Sequence, residues 1–310
     1  MMAADPVARA QERGQNSLLV EADRAYSRGD IDKSLDLYQR AVAKDPTNPS
    51  ALISLGVTYA EKSNWDKSID SLKKAMVLAP NKSEIYVNLS LVYGEKEEHD
   101  RSIAFAEKAV KLSPKDSAAH HTLGLALEGK GDVEKAIAEY RKGAQVDPKN
   151  ADIYLTLGNL YTKQVMYDKA IEVYQKAIAL KPSSPFAYSN IAYVYQEKGQ
   201  HAKALEYLAE ATKKVPSDAV AWYDLGLAYS KSDDADKAID CYQKSLALDP
   251  NFYKALIGKA MAYEKKRDLE KAAECYTKAL ALTEDPKIKE VIMRQITRSA
   301  GSGSTSGSGR

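Results

Sequence analysis

Apolar, small and polar residues return along this chain at a fixed interval of 34 residues. Prolines mark the interval at Pro46, Pro80, Pro114, Pro148, Pro182, Pro216 and Pro250, with Pro286 two residues late of the next position. Setting each proline at position 32 of a unit gives eight units, starting at Gln15, Pro49, Ser83, Ser117, Ala151, Pro185, Ala219 and Tyr253. A unit of this length cannot bury its apolar face alone and must stack on its neighbours. In the unit Ala151 to Ser184, ADIYLTLGNLYTKQVMYDKAIEVYQKAIALKPSS, two stripes of helical period flank a break near Val165. The pattern predicts a first helix over about positions 2–14 and a second over about 18–31 of each unit. At ~1.5 Å per residue each is ~20 Å long. Helices so short are marginal in water, so packing must hold them.

Three positions are small in every unit. Position 8 includes Gly56, Ser90, Gly124, Gly158, Ala192 and Gly226, position 20 runs from Ser34 to Ala272, and position 27 from Ala41 to Ala279. Helices approach most closely where side chains are small, so these positions mark the crossings. Large residues fill the intervening space. Tyr93, Tyr161, Tyr195 and Tyr229 stand at position 11, and Tyr38, Tyr140, Tyr174, Tyr242 and Tyr276 at position 24. Ala106 interrupts the second series and predicts a looser spot. The turn falls at position 15, where Gly29, Gly131 and Gly199 tolerate positive φ. Asp30, Asn64, Asp132, Asp234 and Asp268 follow as helix caps. Glu97-Glu98 and Val165-Met166 lack both signals. Position 7 is apolar in most units but Glu21 in the first and Lys259 in the last, as the ends of an array allow. Ile288, Val291, Ile292 and Ile296 form a stripe that predicts a capping helix over 285–299, with a partner-binding helix as the alternative.

This pattern resembles the tetratricopeptide repeat family over residues 15–284. The resemblance rests on small residues at 8, 20 and 27, tyrosine at 11 and proline at 32, in register. It implies an all-α, right-handed superhelical solenoid of eight helix-turn-helix repeats, with first helices lining a concave face. On that implication, positions 5, 6 and 9 face the groove. Position 6 offers a row of small polar groups: Ser54, Asn88, Thr122, Thr156, Asn190 and Asp224. Ile53, His121, Leu155 and Tyr223 flank it at position 5, and Val57, Leu91, Leu125, Asn159, Tyr193 and Leu227 at position 9. An Asn amide donates to and accepts from a peptide backbone at once, while apolar neighbours hold side chains. These residues form the candidate peptide-binding site, against the simpler reading of a solvated polar face. Related arrays on protein glycosyltransferases carry an asparagine ladder at this position, where only Asn88 and Asn190 are Asn here. Other family members grip acidic chaperone tails with a two-carboxylate clamp. Asn159 and Asn190 match its asparagines, but Leu155, Val220 and Asp224 replace its cations, which excludes that ligand on this face.

Composition narrows the picture further. A net charge of +2 gives no basis for nucleic acid or an acidic membrane as partner. No stretch approaches a membrane span, and residues 1–14 read as a polar lead-in without the apolar run of a signal peptide. Two sequons, at Asn81 and Asn88, are then read as chance. Cys241 and Cys275 share one repeat position, so their spacing comes from the repeat and predicts no disulfide. A reducing, cytoplasmic setting follows as the expectation. The segment 300–310, ending GSGSTSGSGR, reads as a flexible linker or appended tail.

No phosphate loop, zinc spacing or nucleophile motif is present, and no cofactor or metal is expected. His120 occupies a position held elsewhere by Tyr86, Tyr154, Tyr188 and Trp222 and should pack, leaving His121 toward the groove. Asp233, Asp234 and Asp236 fall in a turn without calcium-loop spacing. The expected function is a non-catalytic scaffold for an extended peptide or partner helix. The alternatives are a self-assembling array, hence a homo-oligomer, and the regulatory module of a larger enzyme.

Overall fold

The computed structural model describes residues 17–303, with side chains described for 18–298. The predicted lead-in over 1–14 and residues 304–310 lie outside the described residues. Seventeen α-helices and no strand occur among the described residues. They are α1 (Ser17–Ser27), α2 (Ile31–Lys44), α3 (Pro49–Glu61), α4 (Trp65–Leu78), α5 (Ser83–Glu95), α6 (His99–Leu112), α7 (Ser117–Lys130) and α8 (Val133–Val146). There follow α9 (Ala151–Lys163), α10 (Tyr167–Leu180), α11 (Pro185–Glu197), α12 (His201–Lys214), α13 (Ala219–Lys231), α14 (Ala235–Leu248), α15 (Tyr253–Lys265), α16 (Leu269–Leu282) and α17 (Pro286–Gly303). Odd-numbered helices up to α15 are first helices of a repeat, and even-numbered ones are second helices.

The chain divides into two compact units between Ile153 and Tyr154, within α9. In the first unit α1–α2, α3–α4, α5–α6 and α7–α8 pair as hairpins, and each second helix packs on the next first helix. First helices also meet directly, α3 against α5 and α5 against α7. The second unit repeats this arrangement through α11–α12, α13–α14 and α15–α16. There α17 lies on α16, where Ile292 is buried and Ile288 and Ile296 pack beside it against Cys275, Tyr276 and Ala279. Val291, expected in the same stripe, is exposed. The helix also runs on to Gly303, past the expected end near 299.

Most helices begin and end one residue earlier than the apolar pattern predicts. Pro49 and Pro185 open α3 and α11, where a missing N–H costs no bond. Second helices stop at position 30, two residues before the proline, as in α4 (Trp65–Leu78) ahead of Pro80. The residue before a proline is driven out of helical geometry, and Ala79 becomes the cap, its N–H bonded to the Ala75 carbonyl.

The inter-helix turn is more uniform than its sequence. Gly29, Gly131 and Gly199 have φ of 78°, 89° and 72°. Ser63, Glu97, Val165, Asp233 and Arg267 take the same left-handed conformation, with φ of 55° to 62°. The Glu97 and Val165 turns are therefore ordinary members of the series, although no glycine or cap marks them. Backbone bonds supply what side chains do not: Glu98 N–H donates to the Tyr93 carbonyl and Met166 N–H to that of Tyr161, each at 2.9 Å. Asp30, Asn64, Asp234 and Asp268 cap as expected, accepting from the N–H of Lys33, Lys67, Lys237 and Lys271. Asp132 makes no such bond; its carboxylate sits 3.1 Å from Lys135 Nζ.

The small residues at position 8 receive the rings at position 24. A Cβ placed on Gly124, Gly158 or Gly226 would come within 2.4, 2.3 and 2.7 Å of Tyr140, Tyr174 and Tyr242 respectively. In the hairpin with Ala106 the expected looseness is absent. Ala106 is fully buried, Ser90 replaces glycine and bonds Ser102 at 3.1 Å, and Phe105 stacks on Tyr93 at 5.3 Å. The position 11 rings are each covered by a cation, with Lys67, Arg101, Lys169, Lys203, Lys237 and Lys271 above Tyr59, Tyr93, Tyr161, Tyr195, Tyr229 and Tyr263. Cys241 and Cys275 are buried free thiols, and burial pushes the Cys241 thiol up to about 11.

Candidate functional site

In the first unit the expected polar row is covered. Ile53, Ser54, Val57, Asn88 and Thr122 are buried, Leu91 and His121 are half-buried, and only Leu125 is exposed. Asn88 is 1% exposed, and neither its Oδ1 nor its Nδ2 has a hydrogen-bond partner. His121 lies against Tyr140, ring centroids 5.4 Å apart, and burial is the main cause holding its imidazole below the ordinary 6.5. Val87, Leu91, His121, Thr122 and Leu125, with Glu61, Trp65 and Glu95, line a cavity of about 400 Å³.

The second unit leaves the same positions open. Asn159 and Tyr193 are exposed, and Leu155, Thr156, Asn190, Tyr223, Asp224 and Leu227 are half-buried. Two polar pairs join neighbouring first helices. Asn190 Nδ2 donates to Asn159 Oδ1 at 2.7 Å, from α11 to α9, and Ser189 Oγ donates to Asp224 Oδ2 at 2.5 Å, from α11 to α13. The buried Tyr174 ring sends its hydroxyl to the same Asn159 Oδ1 at 2.8 Å. Burial pushes that phenol above its ordinary 10.0, so it stays protonated and donates. With Asn159 Oδ1 doubly engaged, the Nδ2 of Asn159 and the Oδ1 of Asn190 remain as one donor and one acceptor, the set a peptide unit needs.

Beside these groups Tyr193 is 51% exposed. Tyr223 lies between Phe252 and Tyr242, with centroids at 5.0 and 6.0 Å. Burial raises the Asp224 carboxyl above its ordinary value, although the Ser189 bond acts the other way.

Three regularities escape the reading of single positions. Tyr174 looks like packing alone, yet position 24 hydroxyls bond a polar residue at position 9 or 12 of the same repeat. Tyr38 reaches Asp23, Tyr140 reaches Glu128, and Tyr276 reaches Glu264. At position 4, Tyr86, His120 and Trp222 bond the carbonyls of Pro80, Pro114 and Pro216, tying α5, α7 and α13 to the preceding turn. Position 18 aspartates pair with position 14 lysines of the next repeat, as Asp66 with Lys96 and Asp236 with Lys266. The last pattern was legible as a charge pair recurring with the repeat, but exposed pairs of this kind contribute little. His120 packs as expected, its Nδ1 2.8 Å from Glu139 Oε2. Asp234 caps a helix, and Asp233 and Asp236 pair with Lys265 and Lys266. Among the described residues no group of three or more His, Cys, Asp or Glu is placed to hold a metal, and no helix is long and apolar enough to cross a membrane.

Comparison with known families matches this geometry. The model of the cilia and flagella-associated protein 70 C-terminal domain, built of these repeats, matches residues 96–255. Tetratricopeptide repeat models match residues 22–63, 51–86 and 253–286. The chain belongs to the tetratricopeptide repeat family. Among solved structures, yeast Tom70 has a TM-score of 0.69 at 16% identity over 96% of this chain. The Cut9–Hcn1 hetero-tetramer of the APC/C gives 0.55 at 20% over 93%, and PilF of Pseudomonas aeruginosa 0.55 at 18% over 69%. At these identities the likeness is one of fold. The chain spans 66% of the Tom70 chain, 56% of the Cut9–Hcn1 chain and 97% of the PilF chain. Comparison with curated protein sequences gives no match.

Proposed function

We propose that this chain is a protein-interaction scaffold that holds an extended peptide along the first helices α9, α11 and α13 of its second unit. The observation that carries the reading is the Asn159–Asn190 pair, which presents an uncommitted donor and an uncommitted acceptor on neighbouring helices. Tyr174 fixes the orientation of the pair from the core, so ordering those amides costs little when a ligand arrives. Leu155, Tyr193, Tyr223 and Leu227 offer apolar surface on either side for a ligand's side chains. Asp224 adds a carboxylate to the row and favours a peptide with a donor or cation at that point. Nothing in this arrangement performs covalent chemistry, and the scaffold is read as non-catalytic.

The experiment is selection of random short peptides displayed against the whole chain, followed by mapping of an enriched peptide on the amide spectrum. Shifts concentrated at Asn159, Asn190, Tyr193 and Asp224 support the proposal. Shifts confined to second helices or to α17 contradict it.

A further inference from the structure

The chain has two tryptophans, and they differ in what stands over them. Lys244 Nζ lies 4.2 Å above the Trp222 ring. Among the described residues no Lys or Arg lies over Trp65. Trp65 is half-buried at the start of α4 and lines the cavity of about 400 Å³ in the first unit. An indole face attracts a cation, and more strongly as water is excluded. Two carboxylates share the cavity, Glu61 from α3 and Glu95 from α5. Both are exposed, and neither has an ion-pair partner among the described residues. The lysines that follow them in the chain are held elsewhere, Lys62 by Asp32 and Lys96 by Asp66. Tyr26 Oη donates to Glu61 Oε1 at 3.1 Å, which steadies that carboxylate without neutralising it. His121 adds no opposing charge at neutral pH, because burial holds its imidazole below 6.5. Val87, Leu91 and Leu125 complete the wall with apolar surface.

We propose that this cavity is a binding site for an arginine side chain of a partner peptide. Its size falls in the range of about 300–1,000 Å³ usual for ligand sites. A guanidinium is planar and stacks on an indole face, and its five N–H donors serve two carboxylates at once. Its alkyl stem covers apolar surface while the charge stays near water, which suits the Val87, Leu91 and Leu125 wall beside Glu61 and Glu95. An ammonium is a compact, strongly hydrated charge and uses the ring less well. Exposed ion pairs alone contribute little, so the ring and the apolar wall are what make the site selective. Trp222 with Lys244 shows the same chemistry satisfied within the chain. The site shares no residue with the Asn159–Asn190 pair and stands or falls independently of it.

The test uses the full chain with Trp222→Phe, which leaves Trp65 as its one tryptophan. A blocked pentapeptide of one arginine among four alanines is titrated while Trp65 emission is read, beside peptides with lysine or citrulline in place of the arginine. The arginine peptide should change the emission saturably. The lysine peptide should bind several-fold more weakly, and the citrulline peptide, alike in shape but uncharged, should not bind. Glu61→Gln/Glu95→Gln should weaken the arginine peptide by about 10-fold or more. Its melting temperature should not change, since both side chains are exposed and glutamine keeps an acceptor for Tyr26. Equal affinity for citrulline, equal affinity in the double variant, or binding with Trp65 emission unchanged overturns the proposal. A lysine peptide that binds as tightly as the arginine peptide overturns the assignment to arginine.

Discussion

Tyr174 lies where a side chain on residue 158 would stand: a Cβ on Gly158 would come within 2.3 Å of the ring. The same ring sends its hydroxyl to Asn159, one residue along the helix. A single tyrosine thus sets how closely α9 and α10 approach and which way the neighbouring amide points. Tyr174→Phe keeps the ring and removes the donor. It should cost about 1 kcal/mol of stability and weaken peptide binding although Tyr174 does not reach the ligand. Thermal unfolding and calorimetry on one preparation separate the two effects.

Gly158→Ala tests the close approach itself. The overpacking cost of about 1–3 kcal/mol should exceed the helix-propensity gain of about 1 kcal/mol. The melting temperature should therefore fall, and Tyr174→Leu in the same chain should recover part of the loss. That pairing already exists in Ala192 with Leu208. The end hairpins already accommodate an alanine beside a tyrosine, Ala22 with Tyr38 and Ala260 with Tyr276, so the test applies to the interior glycine repeats. An unchanged melting temperature would show that the α9–α10 crossing yields freely.

Much of this architecture was legible in the chain. Small residues at 8, 20 and 27 and the proline at 32 follow from helix contact and backbone geometry, and these are local properties that a period reveals. The Glu97 and Val165 turns were not legible, because the bond from position 16 back to position 11 imposes the conformation whatever the side chain. Nor was the contrast between Asn88 and Asn190. One asparagine at one repeat position is buried and the other half-open, and burial depends on what lies over the helix rather than on the helix's own pattern.

Val165 offers a clean measure of turn strain. It is β-branched, sits at φ 59° and is 66% exposed, so little packing is at stake. A left-handed conformation costs a residue with a Cβ about 1–2 kcal/mol. Val165→Gly should raise the unfolding free energy by about 1 kcal/mol after the entropy of glycine is deducted. Chemical denaturation checks this, and a decrease would mean that the turn is held without strain.

Asp224 gives a pH dependence of definite sign. Burial raises its carboxyl in the folded chain, so the folded state keeps its proton at pH values where the unfolded state, near 3.8, has released it. Stability from this group therefore falls as pH rises from about 3.8 through the folded value, and the penalty persists at neutral pH. Asp224→Asn retains an acceptor for Ser189 and should be more stable than wild type at pH 7. The gap should close below pH 3.8, as read from melting curves across that range. A gap that widens on acidification would reverse the assignment.

The account rests most on the amide pair of the second unit. Calorimetry with a selected peptide should compare wild type with Asn159→Ala/Asn190→Ala, using Ser54→Ala as the control in the covered first unit. Loss of two hydrogen bonds at roughly 1 kcal/mol each predicts an affinity drop on the order of 10-fold or more, with the control unchanged and both variants folded. Equal affinity for wild type and the double variant would contradict the account.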